Sequence, residues 1–203
     1  TTRRIPVERV PRERLDKMGE NPQGVAAEVN KYPYVDIADI IDRAKTLDQE
    51  LFVLVLDVIQ NPQNLGTLLR TAEAAGVHGV IIPTHRAAEL TPAVVSASAG
   101  ASEHMLVAQG NIVQCLEELK EAGAWIVGLE GGEGSSPIQQ IPLTGPIAIV
   151  VGNEGEGMRS LVRQTCDFLL SLPMFGKIES LNASVAGSIV LYQVVLARLK
   201  GKA

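Results

Sequence analysis

Cysteine is nearly absent from this 203-residue chain: Cys115 and Cys166 stand alone, without metal-ligand spacing and without a neighbouring histidine. That excludes a disulfide scaffold, a zinc site and a thiol catalyst, and reads both residues as small buried hydrophobes. Long apolar runs are missing as well. The longest, Leu51–Leu56 and Ile147–Val151, fall far short of the roughly 20 residues that a membrane-spanning helix needs, so neither a transmembrane segment nor a membrane partner is expected. The opening Thr1-Thr2-Arg3-Arg4-Ile5-Pro6 has no apolar stretch leading to a small-residue cleavage site, so no secretory signal is read and a cytoplasmic protein is expected. Positive charge is also scarce. A formal net charge of −5 argues against a nucleic-acid partner, whose phosphates are usually neutralised by Lys and Arg. The deficit is uneven, however. Residues 1–20 carry Arg3, Arg4, Arg9, Arg12, Arg14 and Lys17 against Glu8, Glu13, Asp16 and Glu20, a net of +2, which leaves −7 for the remainder. This segment reads either as a solvated linker or as an arm that contacts nucleic acid.

What is present is a chain with 46% hydrophobic residues, long enough for one substantial core. Residues 1–35 mix charge with Pro6, Pro11, Pro22 and Pro33 and show no sustained periodicity; only Glu8–Lys17 reads as a short helix. The compact domain is expected over residues 36–203. Asp39–Lys45 has helical character, and Leu51–Leu56 is the continuous apolar run of a strand buried on both faces. Strand-like runs at 79–82, 105–107, 125–129, 147–151 and 168–172 then alternate with helical stretches at 65–75, 92–98, 112–122, 158–165 and 183–199. The fold class expected is α/β, a mostly parallel sheet flanked by helices. Ligands of such sheets gather in the loops beyond the carboxyl ends of the strands.

Three of these loops stand out. The first, Asp57–Ala72, follows the buried strand directly and opens a helix, with Asn64 read as its N-cap and Arg70 about one and a half turns further in. On that reading both face a pocket mouth; otherwise Asn61 and Asn64 are turn and cap residues and Arg70 is solvated. The second, Gly152-Asn153-Glu154-Gly155-Glu156-Gly157-Met158, spaces its glycines G-x-x-G-x-G and carries two carboxylates. Those would repel a pyrophosphate, so the loop suits a ligand with a positive centre or adenosine hydroxyls, unless it is a capping turn without ligand. The third runs from Leu170 to Ala186: a strand ends at Pro173, and Asn182 caps a long helix that begins with small residues, which on its own indicates only close helix packing.

Taken together and in this order, the three loops resemble the motifs of the SpoU (TrmH-type) branch of the SPOUT methyltransferases. The matches are Asn64-Leu65-Gly66 with Arg70, Gly152–Gly157, and Leu172-Pro173-Met174 with Ser180-Leu181-Asn182-Ala183-Ser184-Val185-Ala186, over about residues 50–199. The stretch Leu90–His104 is most similar to members that methylate a guanosine in the P loop of 23S ribosomal RNA, and Pro22–Ala27 resembles the connector that follows their N-terminal substrate-binding domain. The resemblance implies that residues 1–35 are the tail of such a domain, which is expected to be missing here. It implies a C-terminal trefoil knot, a rare exception to un-knotted topology, and a homodimer whose sites share residues. It also implies S-adenosyl-L-methionine as methyl donor, without a metal, near Gly152, Leu172, Met174 and Leu181, with Leu129, Glu130, Gly131 and Gly132 alongside. Arg70 would be the catalytic residue, oriented with the ribose by Asn64, Glu154, Asn182 and Ser184. Whether Arg70 acts as a base, against the fixed charge of a guanidinium, or stabilises a developing alkoxide stays open. The RNA acted on is expected to be 23S ribosomal RNA, with transfer RNA and resistance-conferring ribosomal sites as alternatives. An oxidoreductase is disfavoured by the missing G-x-G-x-x-G after the first strand, and a non-catalytic RNA-binding relative by the joint presence of Arg70, Glu154, Asn182 and Ser184.

Overall fold

Strand β1 (Phe52–Leu56) is buried at all five positions, as are β2 (Gly79–Pro83) and β6 (Ile147–Val151), because each lies inside a sheet covered on both faces. A computed structural model describes residues 6–18, 24–85, 87–132, 134–153 and 155–201. With β3 (Leu106–Gly110), β4 (Trp125–Leu129), β5 (Ser136–Pro137) and β7 (Phe168–Ser171), these strands form one parallel sheet in the order β3-β2-β1-β6-β4-β7-β5. The chain builds outward from β1 to β3, then crosses to the other half, so the order reverses between β1 and β6. Helices α2 (Ile37–Thr46), α5 (Ile112–Glu121) and α6 (Ser160–Thr165) share one core with Val53, Val55, Ala148 and Val150. Helix α3 (Pro62–Ala74) packs between α4 (Pro92–Ala97) and α7 (Ala183–Lys200), and α7 also packs on β6.

Two close approaches fix that second layer. A Cβ on Gly66 would run into Ala97, and one on Gly187 would stand 2.7 Å from Leu68 Cδ2 and 3.2 Å from Val151 Cγ2. Thr71 and Ser188 join α3 to α7 through their hydroxyls at 2.9 Å. At the far end of α7, the Arg198 guanidinium donates to the carbonyls of Leu51 and Gly145 and lies over the Phe52 ring. Helix α7 reaches 18 residues, and by length and composition it is apolar enough to cross a membrane. The run count in the sequence overlooked it because Ser, Gly and Gln interrupt the apolar residues. A third of it is buried inside the protein.

The chain divides into two units, Thr1–Pro33 and Tyr34–Ala203. In the first, the expected helix over Glu8–Lys17 shortens to α1 (Arg12–Asp16), because Pro11, with φ −59° and ψ 149°, is extended and stands as its N-cap. The second starts where Val35 donates its amide to the Val107 carbonyl and Tyr34 accepts from the Leu90 amide. Cys115 is buried and Cys166 half-buried, and burial pushes them up to about 11 and about 12 respectively, so both stay protonated.

At the amino end of the sheet, buried His78 accepts the Phe52 amide on Nδ1 at 3.0 Å and places Nε2 3.0 Å from Gln49 Oε1, which requires the neutral ring. Burial first, then Arg198 and Arg43, hold its pKa below the ordinary histidine value. A depressed histidine favours the folded state above its unfolded pKa. That contribution is lost as pH falls below about 6.5 toward the folded pKa, because the unfolded chain takes up the proton first. Thermal unfolding of wild type and His78→Gln from pH 7.5 to 5 should show the steeper loss of Tm in wild type; parallel curves would remove His78 from the acid response.

Candidate active site

The first loop is anchored by Asp57, which is fully buried just past β1 and extends its pairing by donating its amide to the Val151 carbonyl at 2.8 Å. Asp57 Oδ1 accepts from Arg159 Nε at 2.7 Å, with Nη2 in ion-pair contact at 2.7 Å, and Oδ2 accepts from the Arg159 amide at 2.8 Å. Val58 follows with φ +62°, a left-handed conformation that costs a β-branched residue energy, and its carbonyl accepts from Asn153 Nδ2 at 3.3 Å. Helix α3 then starts three residues earlier than the sequence reading had it. Asn61 is the N-cap, its side chain accepting the Gln63 amide, and Pro62 occupies the first helical position, where its missing N–H costs nothing.

This corrects the reading of Asn64 as a cap. It lies inside the first turn of α3 and is buried. Arg70, six residues on at roughly 100° each, is turned about 120° away from it around the helix and is exposed. Asn64 and Arg70 therefore do not share a face.

The second loop doubles back on itself. Asn153 and Gly157 exchange both backbone hydrogen bonds, at 3.1 and 3.0 Å, and the Asn153 side chain accepts the Gly155 amide at 2.8 Å. The return strand passes so close to Gly152 that a Cβ there would stand 2.5 Å from Gly157 C and 2.6 Å from Met158 N. The glycine is thus required by the loop's own backbone, not by a ligand's approach. Gly157, with φ +70°, makes the reversal possible. Glu154 lies outside the described residues.

The third loop leaves β7 and ends at Asn182, whose Oδ1 accepts the amides of Ser184 and Val185 at 2.9 and 3.3 Å and the Ser184 hydroxyl at 2.6 Å. This is the expected N-cap. The Asn182 amide nitrogen donates to Asn64 Oδ1 at 3.1 Å, so Asn64, Asn182 and Ser184 form one polar cluster where α3 meets α7. A fourth segment follows β4. Glu130 donates its amide to the Leu170 carbonyl and takes Arg163 Nε on its carboxylate at 2.8 Å.

These segments enclose a cavity of about 350 Å³ beyond the carboxyl ends of β4, β6 and β7, next to the point where strand order reverses. Leu129, Glu130 and Gly131 line it from β4, Gly152 from β6, and Leu172, Met174 and Leu181 from the last loop. Seven of the eight residues named from the sequence near the donor thus meet in one place; Gly132 does not line the cavity. Arg70 does not line it. Leu181 and Ala183, on either side of Asn182, put the polar cluster against its edge. Among the described lining residues there are three carboxylates, Glu130, Glu156 and Glu179, and no Lys, Arg or His. Such a wall disfavours phosphate and suits a ligand with a cationic centre, while the leucines and backbone groups suit a flat heterocycle.

A family model described as SpoU rRNA Methylase family matches residues 51–192. The chain belongs to the SpoU family. A second model, described as RNA 2′-O ribose methyltransferase substrate binding, matches residues 1–35. YacO of Bacillus subtilis (strain 168), assigned by its name to the TrmH family of tRNA/rRNA methyltransferases, is 44% identical over 96% of this chain and 78% of its own length. Among solved structures, the SpoU methyltransferase AviRb from Streptomyces viridochromogenes in complex with AdoMet has a TM-score of 0.68 at 30% identity, covering 75% of this chain and 62% of that one. This chain therefore spans less than two thirds of AviRb. The A. aeolicus TrmH/SpoU tRNA modifying enzyme has a TM-score of 0.68 at 25% identity, covering 82% of each chain.

Sequence reasoning missed Asp57 and Arg159 in this SpoU domain, along with Glu179 in the cavity wall. An acid directly after an uninterrupted buried strand was the available signal for Asp57; its partner 102 residues away was not legible. Gly152→Ala should cost about 1–3 kcal/mol, the usual range for overpacking against backbone. Gly131→Ala, where a Cβ meets nothing within 4 Å, should stay within about 0.5 kcal/mol. Chemical denaturation of both variants checks the contrast; equal losses would mean that the loop gives way at Gly152.

Proposed function

We propose that this SpoU domain transfers a methyl group from S-adenosyl-L-methionine to a ribose 2′-oxygen of structured RNA, in the cytoplasm, with a guanosine in the P loop of 23S ribosomal RNA as its target. The observation that carries the reading is the single cavity lined by Leu129, Glu130, Gly131, Gly152, Leu172, Met174 and Leu181, with the Asn64–Asn182–Ser184 cluster at its edge. Its acidic wall fits a sulfonium donor, its apolar residues fit adenine, and AviRb was solved with AdoMet. When bound, the donor supplies an electrophilic methyl group.

The residues of this chain bind and align. Asn182 and Ser184 orient the ribose through a network already fixed by Asn64, so little freedom remains to be lost at reaction. Arg70, exposed on α3, faces the RNA and stabilises the charge developing on the attacking oxygen rather than taking its proton, the role that suits a guanidinium. Glu154 is assigned an orienting role from its motif alone. The ribosomal target rests on the similarity of Leu90–His104 to the guanosine enzymes and on the family description; transfer RNA is the alternative that the relatives' names keep open. The last loop and α7 are read as the threaded part of a trefoil knot, supported by α7 returning from the β7 edge to pack on β6 and α3.

A second copy completes the site in this proposal. Val185, Ile189, Tyr192, Leu196 and Leu199 are exposed on α7 at alternating spacings of four and three, the seam of a helix that meets another helix. A self-complementary face of this kind closes as a two-fold dimer.

Calorimetric titration should show S-adenosylmethionine binding and no NAD binding; the reverse would sink the reading. Arg70→Ala should lower kcat for transfer to a 23S P-loop fragment by about 10²–10³ with donor Kd unchanged. Methylation of transfer RNA but not of that fragment would move the target. For the seam, Tyr192→Asp with Leu196→Asp should reduce the solution mass from twice 21.6 kDa to 21.6 kDa by light scattering, and an unchanged dimer would place the interface elsewhere.

A further inference from the structure

The loop that lines the cavity and the loop that opens α3 come from different halves of the sheet, and what joins them lies outside the cavity. Arg159, two residues beyond Gly157, donates its backbone amide and Nε to Asp57 and keeps Nη2 in ion-pair contact with it. In the same direction, Asn153, within the cavity wall, donates to the Val58 carbonyl. Asp57 is five residues before Pro62, where α3 begins. Short contacts therefore tie the Gly152–Gly157 loop and Arg159 to Asp57 and Val58, from which three residues of backbone lead into the helix bearing Asn64 and Arg70.

We infer that Asp57 and Arg159 are a positioning pair that couples occupancy of the cavity to the placement of α3. This rests on the reading of the cavity as the donor site. Asp57 has no exposure to water, so any shift of the cavity loop must carry it along or leave a bare carboxylate in the core. Val58 supplies the second state. Held in the left-handed region by its contact with Asn153, it relaxes toward ordinary backbone once the pair is broken, and the entry to α3 moves with it. Coupling of this kind is reciprocal: donor in the cavity sets α3 for RNA, and RNA held on α3 tightens donor binding.

Hydrogen–deuterium exchange with and without saturating S-adenosylmethionine tests the pair. In wild type, donor should slow exchange over residues 152–158 and also over 57–66. Arg159→Gln is the variant of choice because the Arg159 side chain is 48% exposed and the amide of Gln still offers Asp57 a donor without the charge. Donor should bind it about tenfold more weakly and protect 152–158 alone. A merely structural role would lower Tm and leave the pattern of protection intact. Protection of 57–66 that persists in Arg159→Gln, or that is absent in wild type, overturns the inference. Should Arg159→Gln fail to fold, Arg159→Lys keeps the cation without the forked donors and is judged by the same two results. A wild type that takes up no donor overturns the reading of the cavity, and this inference falls with it.

Discussion

Asp57 is a carboxylate with no contact with water at the end of β1, beside the central strand β6, and the architecture of the site follows from what it needs. Stranding such a charge costs roughly 3–5 kcal/mol in a fully buried pair, somewhat less where one partner is half in solvent, as Arg159 is. The fold meets that demand with one guanidinium hydrogen bond, an ion-pair contact beside it and one backbone amide, all from the residue at which the second loop ends. β1 and β6 are already paired in register from Phe52–Ile147 to Leu56–Val151, and the Asp57 amide carries the pairing one step beyond. The ion pair then holds together two loops that would otherwise diverge from adjacent strand ends. Val58 tolerates its conformation because the contacts on either side of it over-determine the backbone.

With those loops joined, the cavity's chemistry is set by who lines it. Pyrophosphate sites use glycine to open a path to backbone amides and avoid negative charge. Here Gly152 is consumed by the loop's own return, and the wall presents carboxylates. Glu130 is itself held by Arg163, whose guanidinium does not line the cavity, so the wall keeps its sign. The parallel sheet puts these groups where strand order reverses, a crevice that any sheet of this type provides. Fold thus explains the location, and the side chains explain the preference for a ligand with a cationic centre.

The sheet was legible in the sequence because strands buried on both faces must read as uninterrupted apolar runs, as Phe52–Leu56 and Ile147–Val151 do. β5 was not, since Ser136-Pro137 at the sheet edge buries little and carries no periodicity. Asn182 was legible as a cap because small residues follow it at once. Asn64 was misread although Asn61-Pro62 offered the better start: proline prefers the first helical position and asparagine the cap before it. The reading that put Arg70 beside Asn64 fails on helix geometry alone, since residues six apart lie about 120° apart around α3 wherever it starts. The seven donor-cavity residues were named through motif resemblance, and no periodicity would have brought Leu129 together with Leu181.

Helix α7 carries two demands that no other element combines. Its inner face must be small, because Gly187 approaches Leu68 and Val151 with no room for a side chain, and Ser184 must be buried to reach Asn182. Its outer face is apolar and open from Val185 to Leu199. Val185 is three residues from the Asn182 cap and donates its amide to it, so the first residue of the outer stripe is bonded to the residue that joins α7 to Asn64. Whatever covers the stripe therefore presses on the polar cluster through less than one turn of helix. A helix is stiff over that distance, and its first turn is held by three hydrogen bonds to one side chain. In the dimer proposed above, the partner would therefore bear on the turn that fixes Asn182, because the stripe begins in that turn, at Val185.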